Sequence, residues 1–236
     1  MNPNGLRRRL ARAIIIDRAS TGRNSLVERV ARERSEENYR FASRFVAGRT
    51  VLDVGGGAGI GHDLLLKADA RSILSLDRFV APTPPDGETR LRYEKGDFVA
   101  HPLPDAAFDT IICLGTIFYI PDATAALAKM RRLLRPGGTL VINCINQRLV
   151  RRYFGMRLED VDAKFASAFE QDRFFAFLRD GFGADPETFM QQPVPTEASL
   201  GFWTAPLTWA VRRNPVVPTR PGAEGMFVYA VVKKVD

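Results

Sequence analysis

The stretch VLDVGGGAGIG, Val51 to Gly61, places one acid, Asp53, ahead of five glycines directly after an apolar run. A tight turn explains one glycine and a helix start another. A cluster this dense lets a ligand lie against bare backbone, and the N-terminus of a following helix favours negative charge on that ligand. Asp77, in LSLDRF, stands 18 residues beyond Gly59. A carboxylate there can accept hydrogen bonds from both ribose hydroxyls of a nucleoside; otherwise it is a surface acid. His62 follows the loop directly and is a candidate for proton transfer. Its position is expected on the surface of the next helix, with the pocket side as the alternative. His101, the other histidine, lies in the loop before Leu103-Pro104 and is a poor candidate.

Such residues need rigid elements to hold them. Short β-rich runs recur at Thr50–Val54, Ser72–Leu76, Arg90–Tyr93, Thr110–Leu114 and Thr139–Ile145, with helical segments near Gly61–Ala68 and Ala123–Leu134. The last helix ends in Arg135-Pro136-Gly137-Gly138, a basic turn with a Pro/Gly stop. Apolar strands that do not alternate, separated by helices, predict a parallel sheet covered on both faces, a doubly wound α/β core. In such sheets ligands bind beyond the carboxyl ends of the strands, where the strand order reverses. Upstream, Ser25-Leu-Val-Glu28 has capping-box spacing and opens a predicted helix to about Val46. Downstream the rhythm changes: residues 148–209 hold 12 of the 23 aromatic residues. Helical patterning is expected over Asp160–Leu178, and strands at Thr188–Gln191 and Met226–Val232. The proline-rich stretch 192–221 argues against long regular structure.

The composition, 45% hydrophobic and 26% charged, is that of a soluble globular protein. No apolar run approaches the ~18 residues that cross a bilayer. The basic start followed by Ala13–Ile16 loosely mimics a signal peptide, but its apolar core is too short and no small-residue cleavage site follows. Cys113 and Cys144 lie in apolar runs, as buried free thiols of a reducing cytoplasm do. The net charge of +7 is concentrated at one end, since residues 1–34 carry nine Arg against three acids. Such a basic arm is either a solvated extension or a contact for phosphates or an anionic membrane surface. The remainder is close to neutral, which argues against a nucleic-acid partner.

Beyond the loop, four motifs stand in order: VLDVGGGAG, LSLDRF, KGDFVAHPLPDAAFDTIICLG and LLRPGGTLVI. Together they resemble the class I S-adenosylmethionine-dependent methyltransferases, particularly the methyltransferase type 11 group, over about residues 36–146. The resemblance implies a Rossmann-like, mostly parallel seven-stranded sheet with an N-terminal helical arm (1–34), a single methyltransferase domain (35–236) and an aromatic-rich substrate lid within 148–221. It implies S-adenosylmethionine as cofactor and S-adenosylhomocysteine as product. Gly55, Gly57 and Gly59 would approach the methionine and ribose, with Asp53 orienting the loop and the ligand's amino group. Asp77 would hold the ribose diol, with Arg78 and Phe79 near the adenine. Asp97 would accept from the adenine amino group, the Phe98 backbone would address a ring nitrogen, and the Cys113 carbonyl would face the methionine ammonium. A nicotinamide fingerprint fits less well: it needs G-x-G-x-x-G, and residue 60 is Ile.

Methyl transfer from a sulfonium is an in-line displacement, so alignment supplies much of the catalysis, and a hydroxyl acceptor also needs a base. Tyr119, in GTIFYIPD, occupies the place where relatives carry an acceptor-side His or Tyr. No Asn/Asp-Pro-Pro-Tyr/Phe follows the fourth strand, no Pro-Cys pair is present, and no His/Asp cluster has the form of a metal site. The expected reaction is methylation of an O or N atom of a small molecule, apolar or aromatic in keeping with the lid. The alternatives are a sugar or glycan O-methyltransferase, from a short resemblance in Glu36-Glu37-x-Tyr39-Arg40-Phe41, and a non-catalytic S-adenosylmethionine-binding protein. The assembly stays open between monomer and homodimer.

Overall fold

A computed structural model of the chain describes residues 11, 26–191 and 215–235. Helix α1 (Leu26–Ala42) leads through a 3-10 turn (Ser43–Phe45) into β1 (Thr50–Val54). Then follow α2 (His62–Lys67), β2 (Ser72–Asp77), β3 (Leu91–Lys95), β4 (Phe108–Cys113), a 3-10 turn (Ile117–Tyr119), α3 (Ala123–Leu133) and β5 (Leu134–Ile145). The second half contributes α4 (Gln147–Phe154), α5 (Leu158–Val161), α6 (Gln171–Phe182), β6 (Glu187–Gln191), β7 (Val217–Pro218) and β8 (Phe227–Lys233).

The strands form one sheet of order β3-β2-β1-β4-β5-β8-β6-β7. Strands β1 to β5 pair in parallel, while β8 runs antiparallel to both β5 and β6. The central strands are apolar throughout because both faces are covered: Val51, Leu52, Ile111, Ile112, Val141 and Ile142 are buried. Each such side chain removed from water contributes roughly 1.5–3 kcal/mol. The strand order reverses between β1 and β4, so the loops leaving those two strands face a common crevice.

The connections follow from local chemistry. Asp122 caps α3 by accepting from the Ala125 N–H at 2.8 Å. That helix gives way directly to β5 at Leu134, and Gly137, with a left-handed φ of 69°, lies where the register of β5 against β4 shifts. Gly181 lets α6 cross α3, since a Cβ there would lie 2.4 Å from Leu127 Cδ2.

Four expectations need correction. Among the described residues the sheet has eight strands rather than seven, the extra one being the two-residue β7 at the proline-rich edge, where a short pairing suffices. The helix expected over Asp160–Leu178 is two helices, α5 and α6, separated by the loop through Phe165 and Phe169. Part of the stretch read as a lid is framework: α6 packs on α3 and β8, and β6 is a sheet strand. Its rings show the reason, because Phe174 and Phe182 are fully buried core residues. Finally, the boundary of the arm at 34 cuts a continuous helix. Arg34 is buried with its guanidinium 4.7 Å above the Phe227 ring, and the Tyr229 hydroxyl donates to Asn38 Oδ1 at 2.7 Å. Most of the proposed arm, and the stretch 192–214 with Trp203 and Trp209, lie outside the described residues. No helix among the described residues is long and apolar enough to cross a membrane.

Candidate functional site

The loop leaving β1 carries three glycines at positive φ, Gly55, Gly57 and Gly59. What surrounds them differs. A Cβ on Gly55 would meet the Thr116 side chain at 2.1 Å, and one on Gly59 the Tyr93 hydroxyl at 2.3 Å. Gly56 and Gly61 are equally closed, against Ser75 with Asp53 and against the Tyr39 ring respectively. Gly57 alone of the five has nothing within 4 Å, so the bare backbone open to a ligand is there.

Beneath the loop lies a buried polar chain. The Tyr39 hydroxyl donates to Asp53 Oδ2 at 2.6 Å, and His62 Nε2 stands 2.7 Å from the same oxygen. The other ring nitrogen, Nδ1, is 2.9 Å from the Tyr93 hydroxyl. Burial, helped by the charges of Asp53 and Asp63, pushes the Tyr93 phenol up, so it stays protonated. His62 thus bridges Asp53 and Tyr93 through its two ring nitrogens. His62 is therefore neither on the helix surface nor facing a substrate. It is 1% exposed with both nitrogens engaged, which removes it as a base for an acceptor. The reason is the shortness of α2, whose inward face is His62 and Leu65. Asp53 Oδ1 and Ser75 Oγ are buried with no hydrogen-bond partner among the described residues.

Asp77, at the end of β2, leans onto the glycine loop. Its Oδ2 accepts from the Gly57 N–H at 3.1 Å, and Oδ1 from the N–H groups of Phe79 and Val80. The carboxylate keeps lone pairs for further donors. Arg78 and Phe79 are exposed beside it; Arg78 Nε is 3.6 Å from Asp97 Oδ2. Asp97 folds its own loop by accepting from Val99 and Ala100 N–H groups on Oδ1, while Oδ2 is the oxygen beside Arg78. Phe98 is buried.

On the other side of the crevice, Cys113 ends β4 with its thiol fully buried and pushed up by desolvation. The backbone then turns at Gly115, whose N–H donates to the buried Asn143 side chain at 2.7 Å. Tyr119 closes the 3-10 turn and stacks on Phe165, with ring centroids 4.9 Å apart and planes 17° from parallel. The Phe118 carbonyl accepts from Ala166 and Ser167, tying the segment after α5 to this turn. Sequence reasoning missed Tyr93, Asn143 and Lys129, and gave Tyr39 no place in the loop's support. Lys129 alone left a signal, a lysine set among the apolar positions Ala126, Leu127, Met130 and Leu133 of α3. A cavity of about 470 Å³ bounded in part by Arg148, Gln171 and Thr219 shares no residue with these loops.

Residues 52–142 match the family model described as a methyltransferase domain. A probable S-adenosylmethionine-dependent methyltransferase of Mycolicibacterium smegmatis is 32% identical over 127 residues, 48% of each chain. A ubiquinone biosynthesis O-methyltransferase of Methylococcus capsulatus is 32% identical over 110 residues, covering 44% of this chain and 46% of that one. The chain thus spans about half the length of these curated relatives. The Burkholderia thailandensis 1,6-didemethyltoxoflavin-N1-methyltransferase, solved with its acceptor and S-adenosylhomocysteine, superposes with a TM-score of 0.55 at 18% identity, over 92% of this chain and 93% of its own. Residues 52–142 are thus similar to class I S-adenosylmethionine-dependent methyltransferase domains. The cofactor of that class fits what the structure offers, an open glycine backbone at Gly57 bonded to an acid at the end of β2.

Proposed function

We propose that the chain methylates an O or N atom of an apolar or aromatic small molecule. The observation that carries the donor half is the 3.1 Å bond from Gly57 N–H to Asp77 Oδ2. It sets the one open glycine and the ribose-type acid side by side at the strand-order reversal. S-adenosylmethionine, when bound, supplies an electrophilic methyl group. In this reading Gly55, Gly57 and Gly59 form the wall for its methionine and ribose, and Asp77 holds the diol. Asp97 Oδ2 and the Phe98 N–H read the adenine, with Arg78 and Phe79 flanking it. The Cys113 carbonyl faces the ammonium, and Asp53 holds the loop from beneath.

The acceptor half rests on Tyr119. Its turn begins at Thr116, which is in contact with Gly55, so acceptor wall and donor loop touch. Phe118 and Phe165 are buried behind the half-buried Tyr119 ring, so the wall has an aromatic backing that suits a planar or apolar acceptor. The names of a ubiquinone biosynthesis O-methyltransferase among the relatives and of a 1,6-didemethyltoxoflavin-N1-methyltransferase among the fold neighbours favour a ring-shaped acceptor. The motif that raised the sugar alternative is spent on structure here, since Tyr39 bonds Asp53 and Glu37 pairs with Arg40.

Calorimetric titration with S-adenosylmethionine and S-adenosylhomocysteine tests the donor site. The intact chain is expected to bind both, and Asp77→Ala to lose about 100-fold, the worth of two hydrogen bonds to a charged group. Absence of binding to the intact chain sinks the reading. Methyl-transfer assays on phenolic acceptors and on sugars then test the acceptor class.

A further inference from the structure

Lys129 rises from α3, remote in sequence from both loops, and is 92% removed from solvent, with a relative exposure of 8%. Its ammonium donates to the carbonyls of Phe98 at 2.6 Å and Val99 at 3.2 Å, and to that of His101 at still shorter range. It also stands 5.1 Å from the centroid of the Phe98 ring. Three protons thus meet three carbonyls of a single five-residue loop, Asp97 to His101, with no carboxylate among the partners. The loop has little else that reaches outside it, namely His101 Nε2 on Glu94 Oε2 at 2.7 Å and Arg78 on Asp97. Its other bonds are internal, from Val99, Ala100 and His101 N–H groups to Asp97. Burial draws the lysine below its usual range, with Arg132 adding to the effect and Asp97 opposing it. A buried ammonium is costly unless its donors are filled, so the carbonyls it gathers are held firmly.

We infer that Lys129 is a positioning residue for base recognition: it fixes the Asp97–His101 loop so that Asp97 Oδ2 and the Phe98 N–H meet the adenine edge. The inference rests on the adenine role of Asp97 proposed above. With the ammonium removed, three carbonyls lose their common donor, and the loop keeps its internal bonds and the side-chain contacts of its two ends with Glu94 and Arg78. The carboxylate then points at the 6-amino group for a smaller fraction of the time.

The test is the ratio of two affinities measured by calorimetry. One probe is S-adenosylhomocysteine, and the other is S-inosylhomocysteine, whose 6-oxo group offers Asp97 no donor. The intact chain prefers the adenine probe. Lys129→Met is expected to lose about tenfold on that probe and little on the inosine one, so the ratio shrinks. A merely structural role weakens both alike, and an unshrunk ratio overturns the inference. If Lys129→Met does not fold, Lys129→Arg carries the same test. Its planar guanidinium keeps the charge but cannot point three donors into one carbonyl cluster, and an unchanged ratio again overturns the inference. An intact chain that binds both probes equally overturns the adenine reading itself, a result distinct from failure of the variants alone.

Discussion

The two loops at the crevice are held by opposite means. The loop Gly55–Gly61 is fixed by what its residues lack: Tyr39, Asp53, His62, Ser75, Tyr93 and Thr116 fill the space where its side chains would be. The loop Asp97–His101 has ordinary side chains and is fixed by one ammonium arriving from α3. The first is therefore intolerant of added atoms above and of lost partners below. The second tolerates change along its own length and is vulnerable at a residue some thirty positions away in sequence. Conformational freedom of glycine accounts for only part of the glycine cluster, because Gly56 and Gly61 carry no positive φ and are required by close approach alone.

The largest expected effect breaks the support of the first loop. His62→Leu removes the partner of Asp53 Oδ2 and of the Tyr93 hydroxyl together, leaving a buried carboxylate with less compensation. The cost is about 3 kcal/mol, or roughly 9 °C in melting temperature for a chain this size. Lys129→Met should lower the melting temperature much less than His62→Leu does, while still shrinking the affinity ratio. Thermal melts of the two variants side by side decide the matter; equal shifts would erase the distinction between the loops.

Next come the glycines themselves. Gly61→Ala sets a Cβ 1.9 Å from the Tyr39 ring, and Gly56→Ala one 2.2 Å from Ser75 Oγ. Each should cost about 1–3 kcal/mol of stability through overpacking. Gly57→Ala meets no protein atom and costs only the strain of φ 55°, about 1 kcal/mol. Its effect on S-adenosylhomocysteine affinity should nevertheless be the greatest of the three relative to its effect on stability. Denaturant titration and calorimetry on the same preparations separate the two quantities. Normal binding by Gly57→Ala would mean that the ligand does not lie on that backbone.

The same contrast explains what was readable from the chain alone. The β1 loop was legible because its requirements are local: one acid, glycines at fixed steps, and a second acid where the next strand ends. The parallel core was legible because strands buried on both faces lose their alternation. His62 was misplaced because α2 has only one full inward face, and its partners Asp53 and Tyr93 lie 9 and 31 residues away. Lys129 was missed because an amphipathic reading of α3 treats a lysine as solvent-facing, whereas the carbonyl cluster that accepts it forms only in three dimensions. The framework role of α6 was not legible because aromatic content alone does not show that Phe174 and Phe182 are fully buried core residues.

The smallest effect comes from the opposite end of the same strands and sets the baseline for both loops. Asp109, the second residue of β4, accepts from the Thr50 N–H at 2.8 Å and pairs with Arg135 at 2.8 Å. Burial raises its carboxyl, but the Arg135 hydrogen bond, the Thr50 N–H and the charges of Arg135 and Arg49 outweigh that, and the net displacement is downward. A carboxyl lowered in the folded state adds stability above its unfolded value of 3.8, and that stability is lost as pH falls through the folded value. Asp109→Asn should therefore melt lower than the intact chain at neutral pH, by an amount that solvent screening of the half-exposed arginine holds to about 1 kcal/mol. The gap should close in acid, once the carboxyl of the intact chain is protonated as well. Melting curves across that range check the sign, and a gap that persists undiminished in strong acid would assign the loss to the Thr50 bond rather than to the charge. Affinity for S-adenosylhomocysteine should not move, because Asp109 joins β1 to β4 at the end of the sheet away from both loops. A stability change without an affinity change is the pattern against which His62→Leu and Lys129→Met are to be read.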